Sequence, residues 1–341
     1  MTTEVKPFRV ALIGAGNIAG AHYRGYTAAG AQIVAFAEPF EVTRTRRTAE
    51  WAVPGYATVE ELLENEDFEA VSICTPNAYH HDLTLKAARA GKHILCEKPL
   101  SMSIEQCDEM IEVCREAGVV LQTGHHLRSN LYVEQAKQII EAGGIGKVTF
   151  IRLRQAHDWS GSETVSPAFG SIAQAGGGTM LDNGCHMYDL ARHFVGDVKS
   201  IFARMATLKY DIEVEDVSVA NLEFVSGALG SVENSWTATG WEEGFWIYGT
   251  QGVLECQIRN GIPRYMKHIT RVGGNRDWSR PDEVTYNFTS EGGHPRQVVN
   301  FMRSIRDGQK VICTGEDGRE SVRLVLQGYE SARTGQPITL V

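Results

Sequence analysis

"FRVALIGAGNIAG", Phe8 to Gly20, decides how the first half of this chain is read. The apolar run through Ile13 reads as a short buried strand. Gly14 and Gly16 follow at once, and Asn17 and Ile18 open a stretch of helical spacing that stops at Gly30. Glycines between a strand and a helix permit a tight turn. They also let the backbone approach a pyrophosphate held at the helix N-terminus. Ala19 takes the third position of G-x-G-x-x-G. Alone the motif is weak, and its context strengthens it. "AQIVAFAE" is a second strand, and Glu38 closes it at about 20 residues from the turn, the distance at which a carboxylate meets the adenosine ribose. A carboxylate there repels a 2′-phosphate, so NAD is expected rather than NADP. Arg44, Arg46 and Arg47 follow a turn or two later, and any of them could instead turn onto a phosphate.

Working outward, "AVSICTP", "KHILCEKP" and "VVLQTG" are further apolar runs, separated by "AYHHDLTLKAARAG" and "SIEQCDEMIEVCREAG". Both separators have helical period and a glycine at the C-terminal end. Alternating strand and helix implies a parallel sheet covered on both faces. Beyond a helix near Asn130 to Ala142 the pattern changes. Long runs such as "GKVTFIRLRQAHDW" and "GALGSVENSWTA" show partial alternation, aromatic content and Gly/Ser turns, the marks of an antiparallel sheet. Two helical segments, "HPRQVVNFMRSIRDG" and "EDGRESVRLVLQGYESARTG", close the chain. The expected fold is α/β: a dinucleotide-binding domain over 1–126, then an α/β domain over 127–341 with a large, mostly antiparallel sheet.

The 341 residues carry a formal net charge of −9, with 43% hydrophobic and 22% charged residues. An acidic balance argues against nucleic acid or an anionic membrane as the main partner. No run approaches the length of a membrane span, and MTTEVKPF leads straight into the first strand, so a cytoplasmic location is expected. Seven scattered cysteines without a C-x-x-C pair read as reduced thiols, with no disulfide framework and no metal site.

"GGGTMLDNGCHMYDLARHF", Gly176 to Phe194, places Asp182, His186, Asp189 and His193 at spacings of four, three and four. On one helix these would form a single stripe. Such a stripe could move a proton, bind zinc or iron, or simply lie in solvent.

Together with this stretch, "CTPNAYH" (Cys74 to His80) and "CEKPLSMS" (Cys96 to Ser103) resemble the Gfo/Idh/MocA family, the glucose–fructose oxidoreductase and inositol dehydrogenase group. The resemblance extends through the C-terminal stretch His294 to Thr339 and so covers nearly the whole chain. It implies that Lys98, Asp182 and His186 lie by the nicotinamide and the reacting carbon of a sugar or cyclitol. Thr75, Pro76 and Asn77 match the loop that covers the cofactor, and Glu97 matches a residue near the nicotinamide ribose. His80 begins a helix beside that loop. In "GHHLRS", Gly124 and Arg128 match the family and Arg128 is a candidate substrate contact, while His125 and His126 depart from it. The family's sheet also implies a homodimer or homotetramer.

Oxidising a carbinol needs a hydride acceptor, a base for the hydroxyl proton and a positive group for the developing alkoxide. A histidine, whose unperturbed pKa is ~6.5, suits the base. A lysine at about 10.4 suits the electrostatic role. The expected chemistry is therefore NAD-dependent oxidation of a sugar hydroxyl, including C1 of an aldose to a lactone, or of a cyclitol. His186 is the expected base, and Lys98 and Asp182 support it. A redox-neutral glycoside hydrolase holding NAD tightly and a non-catalytic sugar or nucleotide sensor are the alternatives. Asp189 and His193 read as structural or solvated. "RLRQAHDWSG" adds His157, Asp158 and Trp159 as candidate sugar contacts, polar groups beside an aromatic ring. Trp236, Trp241 and Trp246 read as core or interface.

Overall fold

The computed structural model describes residues 6–158, 167–260, 265–270, 282–288 and 292–341. The chain forms two compact units, Met1–Ser129 with Glu291–Arg319, and Asn130–Ser290 with Glu320–Val341.

In the first unit, strands β1 (Arg9–Ile13), β2 (Gln32–Ala37), β3 (Gly55–Tyr56), β4 (Ala70–Ile73), β5 (His93–Cys96) and β6 (Leu121–Thr123) form one sheet in the order β3-β2-β1-β4-β5-β6. Every pairing in it is parallel. Between the strands run α1 (Asn17–Ala28), α2 (Glu41–Trp51), α3 (Val59–Asn65), α4 (His80–Arg89) and α5 (Ile104–Glu116). The central strands are apolar along their length because both faces are covered. β4 is buried at every residue. This strand order reverses direction between β1 and β4, which opens a crevice beyond their carboxyl ends.

The second unit begins with α6 (Leu131–Glu141) and β7 (Val148–Asp158). The short helices α7 (Ile172–Ala175) and α8 (Thr179–Asp182) lead into α9 (Gly184–Val195). Then come β8 (Val198–Ala206), β9 (Val217–Phe224), β10 (Leu229–Ser235), β11 (Thr237–Gly249), β12 (Gly252–Arg259), β13 (Tyr265–Thr270) and β14 (Asp282–Asn287). The chain ends with α10 (His294–Arg306), α11 (Gly315–Thr334) and β15 (Ile338–Thr339). The sheet order is β14-β13-β12-β11-β7-β10-β9-β8-β15. Only β7 with β10 is a parallel pair among these strands. Along β9 and β10 every second residue is buried, the signature of a sheet with one covered face. Helices α8 and α9 lie on the covered face, against β7, β9 and β10.

The compact units do not follow the single cut at 126 expected from the sequence. Helix α10 belongs to the first unit, where it packs on α1. Val298 and Phe301 of α10 enter the same core as Val10, Leu12 and Tyr26. The chain after α10 also extends that unit's hydrogen bonding. Thr123 N donates to the Cys313 carbonyl at 3.0 Å, and Thr123 Oγ1 donates to that of Thr314 at 3.0 Å. No helix among the described residues is long and apolar enough to cross a membrane.

Candidate functional site

The sequence-predicted cofactor residues of the first unit gather at the carboxyl ends of the parallel strands. Gly14 follows β1 with φ +87°, and a Cβ there would lie 2.6 Å from the Cys74 carbonyl oxygen. Only glycine meets both conditions. At Gly16 a Cβ would meet nothing within 4 Å, so the entry to α1, with Asn17 and Ile18, borders open space. Glu38 is buried and reaches back to this turn. Its carboxylate accepts from Ala15 N at 2.9 Å and from Phe40 N at 3.1 Å. The glycine turn and the acidic residue are thus one structure. The nearby arginines are engaged with backbone oxygens. Arg47 donates to the Ala15 and Gly16 carbonyls at 3.0 and 3.1 Å, and Arg44 to that of Glu38 at 2.7 Å.

On the other side of the crevice, Thr75, Pro76 and Asn77 follow β4, and Asn77 opens a single 3-10 turn. Buried His80 ties this loop to the next one. Nδ1 lies 2.8 Å from the Pro99 carbonyl oxygen and Nε2 lies 3.0 Å from that of Thr75. Burial lowers its pKa. Glu97 and Lys98 follow β5, and the Lys98–Pro99 bond is cis.

A histidine cluster surrounds Glu97. His22 Nε2 lies 2.8 Å from Glu97 Oε1, His126 stacks on His294 at 3.8 Å between ring centres, and His22 and His294 are 5.8 Å apart. Burial by itself would raise the Glu97 carboxyl, but the His22 hydrogen bond and the histidine charges hold it well below the usual range. Burial lowers His294 to about 4 and drives His126 well below the ordinary imidazole value. Imidazoles beside a carboxylate can hold a metal ion. His22, Glu97 and His294 each offer a donor atom, all within 4.8 Å of one another. No metal site was expected from the scattered cysteines, and His22, Glu97 and His294 lie far apart in the sequence. Here the His22–Glu97 hydrogen bond accounts for the pair without one. Arg128 is buried and donates to Asp317 Oδ2 at 2.9 Å and to the Ile312 carbonyl at 3.2 Å. Its guanidinium thereby fastens the 312–317 segment.

In the second unit the glycine run is shaped by Glu215. Gly178 N and Met180 N donate to its carboxylate at 3.0 and 2.8 Å, and Tyr329 OH does so at 3.0 Å. A Cβ on Gly178 would fall 1.9 Å from the Glu215 carbonyl oxygen, and one on Gly177 would fall 2.0 Å from the Tyr329 hydroxyl. Contact thus explains two of the three glycines. Burial raises the Glu215 carboxyl despite these donors.

Asp182 ends α8 and His186 lies in the first turn of α9, with Asn183 between the helices. The expected single stripe is therefore broken at Asn183. Trp236, wholly buried, donates its indole N–H to Asp182 Oδ2 at 3.3 Å. That contact links residues 54 apart and left no local sign in the sequence. His186 and Asp189 are buried, and the His193 ring lies against Phe194. His157 Nε2 lies 3.3 Å from Asn183 Oδ1, and the His157 ring stacks on Trp241. Asp158 meets Lys209 Nζ at 2.6 Å and Tyr210 OH at 2.5 Å, contacts that hold its carboxyl below the usual range. Trp159 lies outside the described residues. All seven cysteines are buried and none is in a disulfide.

Two family models match: an oxidoreductase family, NAD-binding Rossmann fold, over residues 8–125, and the GFO/IDH/MocA C-terminal domain over 133–255. 1,5-Anhydro-D-fructose reductase of Ensifer adhaerens is 31% identical over 340 residues, 96% of this chain and 97% of that one. The chain belongs to the Gfo/Idh/MocA family. It is thus a member of a family of NAD(P)-dependent sugar and cyclitol dehydrogenases. Another family relative, scyllo-inositol 2-dehydrogenase (NAD(+)) of Bacillus subtilis, is 28% identical over 97% of this chain and 96% of its own. Levoglucosan dehydrogenase in complex with NADH has the same fold, with a TM-score of 0.89 at 23% identity, covering 98% of this chain and 100% of that one.

Proposed function

We propose that this protein oxidises a ring hydroxyl of a sugar or cyclitol with NAD as hydride acceptor. The Ala15–Glu38 hydrogen bond carries the cofactor assignment. It sets a buried carboxylate against the glycine turn, where a ribose diol would find an acceptor and a 2′-phosphate would meet a negative charge. Gly14, Gly16, Asn17, Ile18, Glu38, Thr75, Pro76, Asn77, His80 and Glu97 are the proposed cofactor contacts. The open space at Gly16 and the strand order support a dinucleotide there. The names of the relatives, a cyclitol dehydrogenase and an anhydro-sugar reductase, support the substrate class.

Bound NAD supplies the nicotinamide carbon that accepts a hydride. His186 takes the hydroxyl proton, Lys98 stabilises the developing alkoxide, and Asp182 orients its partners while its own carboxylate is held by Trp236. His157 and Asp158 are proposed to meet substrate hydroxyls. Purified protein with NAD should form NADH with at least one aldose or inositol, and His186→Ala should lower kcat about 10²–10⁴-fold. Near-normal turnover in that variant would remove His186 as the base. No NADH from any sugar, with NAD recovered from the denatured protein, would favour the redox-neutral hydrolase.

A further inference from the structure

We propose that Trp241 is a stacking platform for a six-membered sugar or cyclitol ring, and that it selects ring substrates over open-chain polyols. This rests on the substrate class proposed above and adds the shape that the site recognises.

Three contacts immobilise Trp241. Its backbone N–H donates to Asn260 Oδ1 at 2.8 Å, and its carbonyl accepts from Asn260 N at 2.7 Å. Glu243, two residues further along β11, has a buried carboxylate. Glu243 is itself held by Tyr132 OH at 2.5 Å and Gln155 Nε2 at 2.9 Å. One indole face lies on the His157 ring, with centres 5.1 Å apart and planes 7° from parallel. Yet Trp241 remains 40% exposed, whereas Trp236 and Trp51 are 0% and 4%. A tryptophan that merely fills a core would be covered, and one that is merely at the surface would not be fixed at backbone and ring face together.

Its position suits a ligand. Trp241 shares a side of the sheet with Glu243, Phe245 and Ile247, all buried, while Trp246 on the opposite side lies under the Arg152 guanidinium at 4.9 Å. His157, beneath Trp241, meets Asn183, the residue between Asp182 and α9. The exposed ring therefore adjoins the end of α9 that carries His186. A pyranose or cyclohexane ring with equatorial hydroxyls presents a face of axial C–H bonds, which suits the electron-rich face of an indole. Its hydroxyls point outward at the rim, where polar side chains can meet them. An open-chain polyol has no such face. Because the indole is held in place before binding, stacking costs little ordering entropy.

The test is steady-state kinetics with NAD on D-glucose, D-xylose, myo-inositol and scyllo-inositol, beside open-chain sorbitol and xylitol. For the ring compound turned over best, Trp241→Leu should raise KM about 10-fold. Its kcat should move far less, its KM for NAD should not move, and Trp241→Phe should recover most of the loss. The same sugar should quench indole emission in the wild type, and much less in Trp241→Phe. Unchanged KM in Trp241→Leu overturns the platform while leaving the dehydrogenase intact. If Trp241→Leu fails to fold, the emission experiment decides, and absence of quenching overturns the platform. Turnover of sorbitol or xylitol as efficient as that of the ring compounds also overturns it. If no compound is turned over and no NADH forms, the dehydrogenase reading falls and the platform falls with it.

Discussion

Glu38 illustrates how one side chain can hold both structure and selectivity. It is buried by the glycine turn, and its oxygens accept backbone N–H groups of Ala15 and Phe40. Removing the whole side chain would disturb the turn, so the informative variant keeps the shape and removes the charge. Glu38→Gln should raise the ratio of NADP to NAD efficiency at least about 10-fold, since relieving only ~1.4 kcal/mol of like-charge repulsion against a phosphate is a tenfold change. The comparison is kcat/KM with each cofactor. A ratio that stays at the wild-type value would mean that Glu38 shapes the turn without choosing the cofactor. Arg44 and Arg47 should contribute little to NADP binding, because their guanidiniums already serve backbone carbonyls.

The element that matters most is the α8–α9 pair, and Glu215 sets where it begins. Two backbone N–H groups and a tyrosine hydroxyl converge on its carboxylate. Glu215→Ala leaves the donors of Gly178 and Met180 without an acceptor in a buried place, a loss of about 1–3 kcal/mol for each orphaned group. Gly178→Ala forces a methyl to 1.9 Å from a backbone oxygen, so the turn itself must move. Both variants should lower the melting temperature and lose activity together, whereas Glu215→Gln should lose less of each. Wild-type melting of Gly178→Ala would show that the turn is looser than this contact implies. Substitution at Gly16, where a Cβ meets open space, should leave the melting temperature nearly unchanged.

For the whole molecule, buried and half-buried histidines set the acid limit of stability. His294 falls to about 4 through burial, and His126 and His80 are lowered for the same reason. Below the ordinary imidazole pKa of 6.5, the unfolded chain takes up protons that the folded one excludes. Stability should therefore be full above about pH 6.5 and fall as the pH drops toward 4. His294 alone can account for about 3 kcal/mol of that loss. Glu97 acts in the same direction at lower pH, since its carboxyl is held down in the fold and its stabilisation disappears on acidification. Melting temperatures between pH 7 and 4 should fall less steeply for His294→Gln, and an unchanged slope would show that His294 is not protected from protonation. The open face of the large sheet carries exposed Phe150, Leu229 and Tyr248 on three adjacent strands, bordered by the Arg152–Glu233 ion pair. We propose that this face joins two copies of the chain. Light scattering should then show at least a dimer, and Leu229→Lys should weaken it. A monomeric wild type would overturn that proposal.

The sequence alone determined what depends on neighbours along the chain. The strand, glycine turn and helix at Phe8 to Ala28, the alternation up to β6 and the change of period after α6 follow from local side-chain pattern and backbone freedom. Glu38 was legible because its distance from the glycine turn is set by one helix and one strand. The Asp182–His186 spacing was legible too, though not the break at Asn183, where two helices meet within one pattern. The tertiary structure alone decided what depends on residues far apart. It brought α10 onto α1, His294 onto His126, Glu215 onto the glycine run, Trp236 onto Asp182, and Trp241 onto His157. It also assigned Arg128 to Asp317. None of these pairings has a local periodicity, because each partner satisfies its own element's pattern equally well with or without the other. Burial then chose among them: a polar group inside the fold must find a partner, and which one it finds is a property of the closed chain.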